Sequence, residues 1–350
     1  TALMASGTYV IPDIEVHWRA VVTNTVPVHA YRGAGRPEAA AMVERIMDIA
    51  AGELGMDPIE LRRKNLLQAA DFPYTSPTRA EYDTGDYDAA LDMALDMAGY
   101  EELRQEQAAR RERGDRIQLG IGVSTYVEIT APGDRKEWSK VEVHEDGTAT
   151  AWVGTSAHGQ GHETAFAQIV AGHLDIPHTD VKVIEGDTDV IETGWGTGGS
   201  RSLQVGGTAV NNSTEGVVAK AKEIVAHLRE APVEDLVVAD GGVSVAGVPD
   251  TKIGWGELAA LASSPTNLPE GVDPGLAFEH LFDQGVATYP FGAHVSVLEL
   301  DTETGSIAIR RLVAVDDCGT IFNRVLVDGQ VHGGVAQGYG QALWEHAQYD

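Results

Sequence analysis

The chain has 350 residues, more than one hydrophobic core usually holds, so two or more packed units are expected. Its hydrophobic content of 43% and charged content of 22% are those of an ordinary globular protein, and no apolar run is long enough to span a bilayer. The formal net charge of −28 excludes nucleic acid as a partner, because nothing here neutralises phosphates along a duplex. Solubility is the plain reading of that acidity, and salt adaptation a sharper one.

Thr1-Ala2-Leu3-Met4 has no basic region and no apolar region, so no signal peptide is read, and without an initiator methionine the chain reads as a processed product or a fragment. The single cysteine points to a reduced, cytoplasmic environment. Residues 7–30 alternate short apolar runs with polar residues and predict two strands and a connector. Arg32-Gly33-Ala34-Gly35-Arg36 is a loop, after which Pro37 and Glu38 open a helix with Met42, Val43, Ile46, Met47, Ala50 and Leu54 on one apolar face. Gly55 ends it, and Asp57-Pro58 caps and starts another. A connector over 69–85 precedes a long amphipathic helix over about 87–113 that Gly114 closes. Strands follow over 117–130, 138–144, 148–153 and 181–185, the middle pair joined as a hairpin by Glu145-Asp146-Gly147. Residues 204–229 predict a helix, 237–248 a small hairpin, 256–262 a short helix and 286–315 a long hairpin. Asp301-Thr302-Glu303-Thr304-Gly305 lacks the later ligands of a calcium loop and reads as the tip of that hairpin. A last helix, 324–347, carries Gly329, Gly333, Gly334, Gly338 and Gly340, each costing it about 1 kcal/mol, so something is expected to pack close to its backbone. Cys318 is the single cysteine, which excludes an intrachain disulfide and any cysteine-ligated cluster or zinc site built from this chain alone.

Four glycine-rich segments stand out, at 32–36, 154–163, 194–207 and 329–340. None is a phosphate-binding P-loop or a dinucleotide fingerprint. In the second, a strand over 149–153 leads through Gly154-Thr155-Ser156-Ala157-His158-Gly159-Gln160-Gly161-His162-Glu163 into a helix, a geometry that offers free backbone N–H groups to an anion. Thr197, Ser200 and Ser202 add hydroxyls and Arg201 a guanidinium suited to phosphate. One large anionic ligand cradled by backbone amides accounts for all four segments, and a set of tight turns is the plain alternative. His158 and His162, four apart, allow a zinc hydrolase reading, against which stand the intervening Gly-Gln-Gly and the lack of a third ligand.

Ala30-Tyr31-Arg32-Gly33-Ala34-Gly35-Arg36-Pro37-Glu38 resembles the active-site loop of the molybdenum hydroxylase large subunits, the family of xanthine dehydrogenase, aldehyde oxidase and aerobic carbon monoxide dehydrogenase. Gly154–Glu163, Gly196–Ser202, Asp317-Cys318-Gly319 and Gly329–Gly338 resemble further segments of that family in the same order, so the likeness runs from Ser6 to about Glu345. It implies an α+β (mixed α/β) fold, molybdopterin-binding subdomains of mixed sheets packed with helices. It divides the chain into 1–80, the end of a first subdomain, and 81–350, a second that is incomplete at its C-terminus.

The resemblance also implies molybdopterin with molybdenum, in the cytosine dinucleotide form. Gln160 would contact the metal's oxo ligand, and Gly159 and Gly161 would bring backbone amides to the cofactor beside His162. Thr197, Ser200, Arg201 and Ser202 would hold pterin and pyrophosphate, Gln337 would contact the pterin, and Arg32 would face the substrate. Gln160 and Arg32 are the implied catalytic pair. The implied activity is oxidation of an aldehyde, N-heterocycle or related small molecule with water as oxygen source. Its electrons would leave to iron–sulfur clusters and FAD on partner subunits, the remaining part of the large subunit would also be a partner, and the assembly would be a dimer of heteromers. Two departures stand beside this. Gly33 occupies the place where true aerobic carbon monoxide dehydrogenase has its copper-binding cysteine, and the chain stops before the Gly-Glu motif whose glutamate is the family's general base. A non-catalytic molybdopterin-binding piece is therefore the alternative.

Overall fold

The computed structural model describes residues 1–27, 29–133 and 136–349. Its helices are α1 (Arg36–Leu54), α2 (Pro58–Asn65), α3 (Tyr87–Ala98), α4 (Tyr100–Arg113), α5 (His162–Leu174), α6 (Thr208–Arg229), α7 (Trp255–Ala262) and α8 (Arg324–Leu343). The strands are β1 (Tyr74–Thr75), β2 (Glu81–Tyr82), β3 (Ile117–Val127), β4 (Lys136–Val143), β5 (Ala149–Val153), β6 (Val181–Ile184), β7 (Leu236–Ala239), β8 (Gly242–Val245), β9 (Val248–Gly254), β10 (Ala277–Asp283), β11 (Phe291–Asp301) and β12 (Ile307–Asp317). This is the expected α+β class. The chain forms two compact units, one from Thr1–Thr130, Thr288–Ile321 and the residues after Gln330, the other from Ala131–Ala287 and Phe322–Gln330.

The first unit is built on the antiparallel sheet β12-β11-β3. Val123, Thr125 and Val127 of β3 and Ala293, Val295 and Val297 of β11 are buried, with α1, α3 and α4 packed on the sheet. A buried ion pair crosses this core. Arg62 is fully buried, donates to Glu44 Oε2 at 2.9 Å and the Val123 carbonyl at 3.0 Å, and forms an ion pair with Asp48 Oδ1 at 2.9 Å. Glu44 Oε1 accepts from Tyr9 at 2.5 Å and Thr125 at 3.0 Å. Burial and the Glu44 charge push the Tyr9 phenol up, so it stays a donor.

The second unit holds the mixed sheet β10-β4-β5-β6, antiparallel except for the β5–β6 pair, and a small sheet β7-β8-β9. Val141, Ala151, Val153, Phe166, Val170, Val217 and Ile224 form its core, and Trp255 Nε1 donates to the Leu174 carbonyl at 2.6 Å.

Several expectations are corrected. Residues 7–27 form no strand: beyond the Tyr9–Leu66 bridge their backbone has no ladder partner among the described residues, and Trp18 and Val22 are exposed. The remainder of that expectation includes Val28, which lies outside the described residues. On α1, Ala39, Val43, Glu44 and Ala51 face inward while Met42, Ile46 and Leu54 are exposed, because Arg62 draws Glu44 into the core and rotates the helix with it. The helix over 87–113 is two helices, broken where Gly99 turns left-handed at φ 67°. The strand β10 and the third member of the small sheet, β9, are additional.

Arg62→Ala leaves the buried Glu44 carboxyl without its cationic partner, and unfolding in urea should show a loss of about 3–5 kcal/mol.

Candidate functional site

Strands β5 and β6 run parallel, and both chain segments leaving their carboxyl ends are glycine-rich. Ligands of α/β sheets bind in the crevice at such ends. From β5 the chain passes through Gly154–Gly161 into α5, and from β6 through residues 185–201 into a turn of π-helix, Ser202–Gly207, and then α6. The first turn of α5 has no side-chain cap, and Gly159 and Gly161 are left-handed at φ 99° and 79°, conformations that a side chain resists. A Cβ built on Gly159 would meet open space, as would one on Gly196 or Gly198, so the backbone at these positions is uncovered by other side chains.

The two loops interlock. A Cβ on Gly194 would lie 2.5 Å from the Cα and carbonyl oxygen of Gly154, so only glycine permits this approach. Gly196 N–H donates to the Gly154 carbonyl at 3.0 Å. The Thr197 hydroxyl accepts from Ser156 N–H at 3.2 Å and hydrogen-bonds Ser202 Oγ at 2.9 Å, tying both loops to the start of the π-turn. Ser200 is exposed on the same loop.

Arg201 is turned inward. It is 5% exposed, and its guanidinium donates to Glu137 Oε2 at 2.8 Å, to the Gly196 carbonyl at 2.9 Å and to the Lys136 carbonyl. Glu137 is fully buried and also accepts from Trp138 N–H at 3.1 Å. His162 is buried too, with Nδ1 3.0 Å from Glu185 Oε2, the oxygen that also accepts from Thr155 at 2.8 Å. Burial pushes the Glu185 carboxyl up, but the hydrogen bonds from His162 and Thr155 outweigh it and hold it below its ordinary value. Gln160 is half-buried, and its Oε1 accepts from His158 N–H, which leaves the amide Nε2 to donate.

The first two turns of α8 belong to this unit: Asn323 donates to Gln168 at 2.9 Å, and Leu326 packs against Gly161. In the first unit, Arg32 lies on a turn in which Gly33, Ala34 and Gly35 are all left-handed, and its guanidinium sits over Gly333 and Gly334 of α8. This is the close approach to the glycine-rich helix that its composition predicts. Gln337, on the same stretch of α8, reaches Gln341 at 3.4 Å. Sequence reasoning singled out neither Glu137 nor Glu185. A carboxylate at the end of a strand that leads into a glycine-rich loop is the signal that marks Glu185.

An uncapped helix start, open glycine backbones and hydroxyls fit an anionic, many-atomed ligand, and the Arg201 Nη groups are engaged by Glu137 and the Gly196 and Lys136 carbonyls. Among the described residues no three His, Cys, Asp or Glu side chains converge as a metal site, and His162 faces Glu185, so the geometry gives the zinc hydrolase reading no support. A fold of this class with this cradle defines a binding domain for a large anionic cofactor.

Residues 93–350 match one family model described as molybdopterin cofactor-binding domain, and residues 1–66 match another of the same description. The chain belongs to the molybdopterin cofactor-binding domain family. It is 38% identical over 361 residues to the carbon monoxide dehydrogenase large chain of Hydrogenophaga pseudoflava, covering 99% of this chain and 45% of that one. It is 32% identical to the nicotine 6-hydroxylase large subunit of Paenarthrobacter nicotinovorans, covering 100% and 44%. The structure of quinoline 2-oxidoreductase from Pseudomonas putida 86 aligns with a TM-score of 0.90 at 34% identity, covering 99% and 45%. The chain thus spans a little under half the length of these relatives.

Two outcomes follow from the interlock. Gly194→Ala forces a methyl into Gly154, and thermal unfolding should show a loss of about 1–3 kcal/mol with faster proteolysis of the 185–201 loop. Glu185 has a lowered folded value, so its contribution is present above the ordinary carboxylate value of 4.5 and lost as pH falls through the folded one. Acid titration followed by Trp195 fluorescence should show the loop loosening in that lower range.

Proposed function

We propose that this chain is the cofactor-binding portion of the large, catalytic subunit of a molybdenum hydroxylase that oxidises an aldehyde, N-heterocycle or related small molecule with water as oxygen source. The observation that carries this reading is the interlock of the Gly154–Gly161 and Gly194–Ser202 loops at the carboxyl ends of β5 and β6. Residues 1–80 are read as the end of one molybdopterin-binding subdomain and 81–350 as part of a second.

When bound, molybdopterin with molybdenum, in its cytosine dinucleotide form, supplies the two-electron redox chemistry. The chain's share is binding, orientation and electrostatics. The N–H groups at the start of α5 and the backbones of Gly159 and Gly161 hold negative charge, and the Gln160 amide donates beside them. Thr197 joins the two loops, and Ser200 and Ser202 present hydroxyls. Arg201 acts through Glu137, fixing the loop while leaving the anion to main chain and hydroxyls. His162 shapes the end of the cradle, Gln337 is assigned to the pterin and Arg32 to the substrate. No residue of this chain is assigned as general base, and that role falls to the remaining part of the large subunit. Iron–sulfur and FAD subunits take the electrons in a cytoplasmic dimer of heteromers. Among the described residues no helix is long and apolar enough to cross a membrane. Glycine at position 33 sets the chain apart from copper-dependent carbon monoxide oxidation.

Arg32→Ala in the assembled complex should abolish turnover across a panel of aldehydes and N-heterocycles while molybdenum and nucleotide content stay at the wild-type level. Unchanged turnover would remove Arg32 from the substrate, and a wild-type complex holding neither molybdenum nor pterin would end the reading.

A further inference from the structure

One carboxylate oxygen binds both ends of the loop that carries Gln160. Glu185 Oε2 accepts from Thr155 Oγ1 at 2.8 Å, where the loop leaves β5, and from His162 Nδ1 at 3.0 Å, where it enters α5. The side chain is 9% exposed, and the Ala157 backbone N–H, inside the loop, also favours its charged form. Glu185 is the first residue after β6, and its neighbour Gly186 lies against Ser156 inside the loop, so the parallel pair β5–β6 places a fixed acceptor beneath the loop's mouth.

We propose that Glu185 is a positioning residue for the cofactor cradle. By tying Thr155 to His162 it sets the span of the loop, and with it the presentation of the Gly159 and Gly161 backbones and the Gln160 amide. The proposal rests on the reading that this loop holds molybdopterin.

The test uses the purified complex carrying Glu185→Ala, Glu185→Gln or Thr155→Val, with molybdenum and pterin measured per chain and the Mo(V) electron paramagnetic resonance spectrum recorded after partial reduction. Glu185→Ala removes both ties, and cofactor content should fall by about tenfold or more, as expected when buried partners lose their acceptor. Glu185→Gln keeps an acceptor oxygen for Thr155 and His162 and should restore content to the wild-type level. Thr155→Val keeps the side chain's shape, removes one tie and should give a partial loss with a shifted Mo(V) signal, an outcome that serves even where Glu185→Ala does not fold. Wild-type content and an unshifted signal in Thr155→Val, or equal losses in Glu185→Gln and Glu185→Ala, would overturn the tie. A wild-type complex without molybdenum or pterin would instead overturn the functional reading beneath it.

Discussion

The buried pair of Arg201 and Glu137 is the constraint on which the candidate site depends. Both side chains are almost wholly removed from water, which costs several kcal/mol per ion before their attraction is counted. A well-packed apolar pair would do as much for stability. What apolar residues lack is direction: Arg201 also grips the Gly196 and Lys136 carbonyls, so the charge pair fixes where a glycine-rich loop must run. The first unit uses the same device, where Arg62 and Glu44 set the rotation of α1 about its axis.

Given that fixed loop, the remainder follows from backbone geometry. Parallel strands deliver their outgoing segments to one edge of the sheet, and the helix that follows β5 begins with unsatisfied N–H groups. Glycines keep that edge clear of side chains, and two of them, Gly154 and Gly194, let the loops touch main chain to main chain. The result is a surface rich in directed main-chain dipoles. That suits a ligand whose own charge is spread over many atoms, within a molecule that is itself strongly acidic.

The cradle was legible in the sequence because glycine spacing, a strand before and a helix after are local signals. The class of fold and the helix ends at Gly55, Asp57 and Gly114 were legible for the same reason. What was hidden depends on partners distant along the chain. Arg201 reads as a phosphate ligand, and its ion pair with Glu137, 64 residues away, leaves no mark in the local sequence. The apolar stripe of α1 reads as a core face until Arg62 turns Glu44 inward. Residues 7–27 have the alternation of strands, but alternation specifies a face and cannot supply the neighbouring strand that a ladder needs.

The lone Cys318 is exposed just past the end of β12, and it is the only thiol in the sequence. A maleimide dye will therefore label one known address per chain, and labelling stoichiometry counts chains directly. In air the same atom can cross-link two copies. A species of twice 37.2 kDa on a non-reducing gel would record that chemistry, and dithiothreitol distinguishes it from a native assembly.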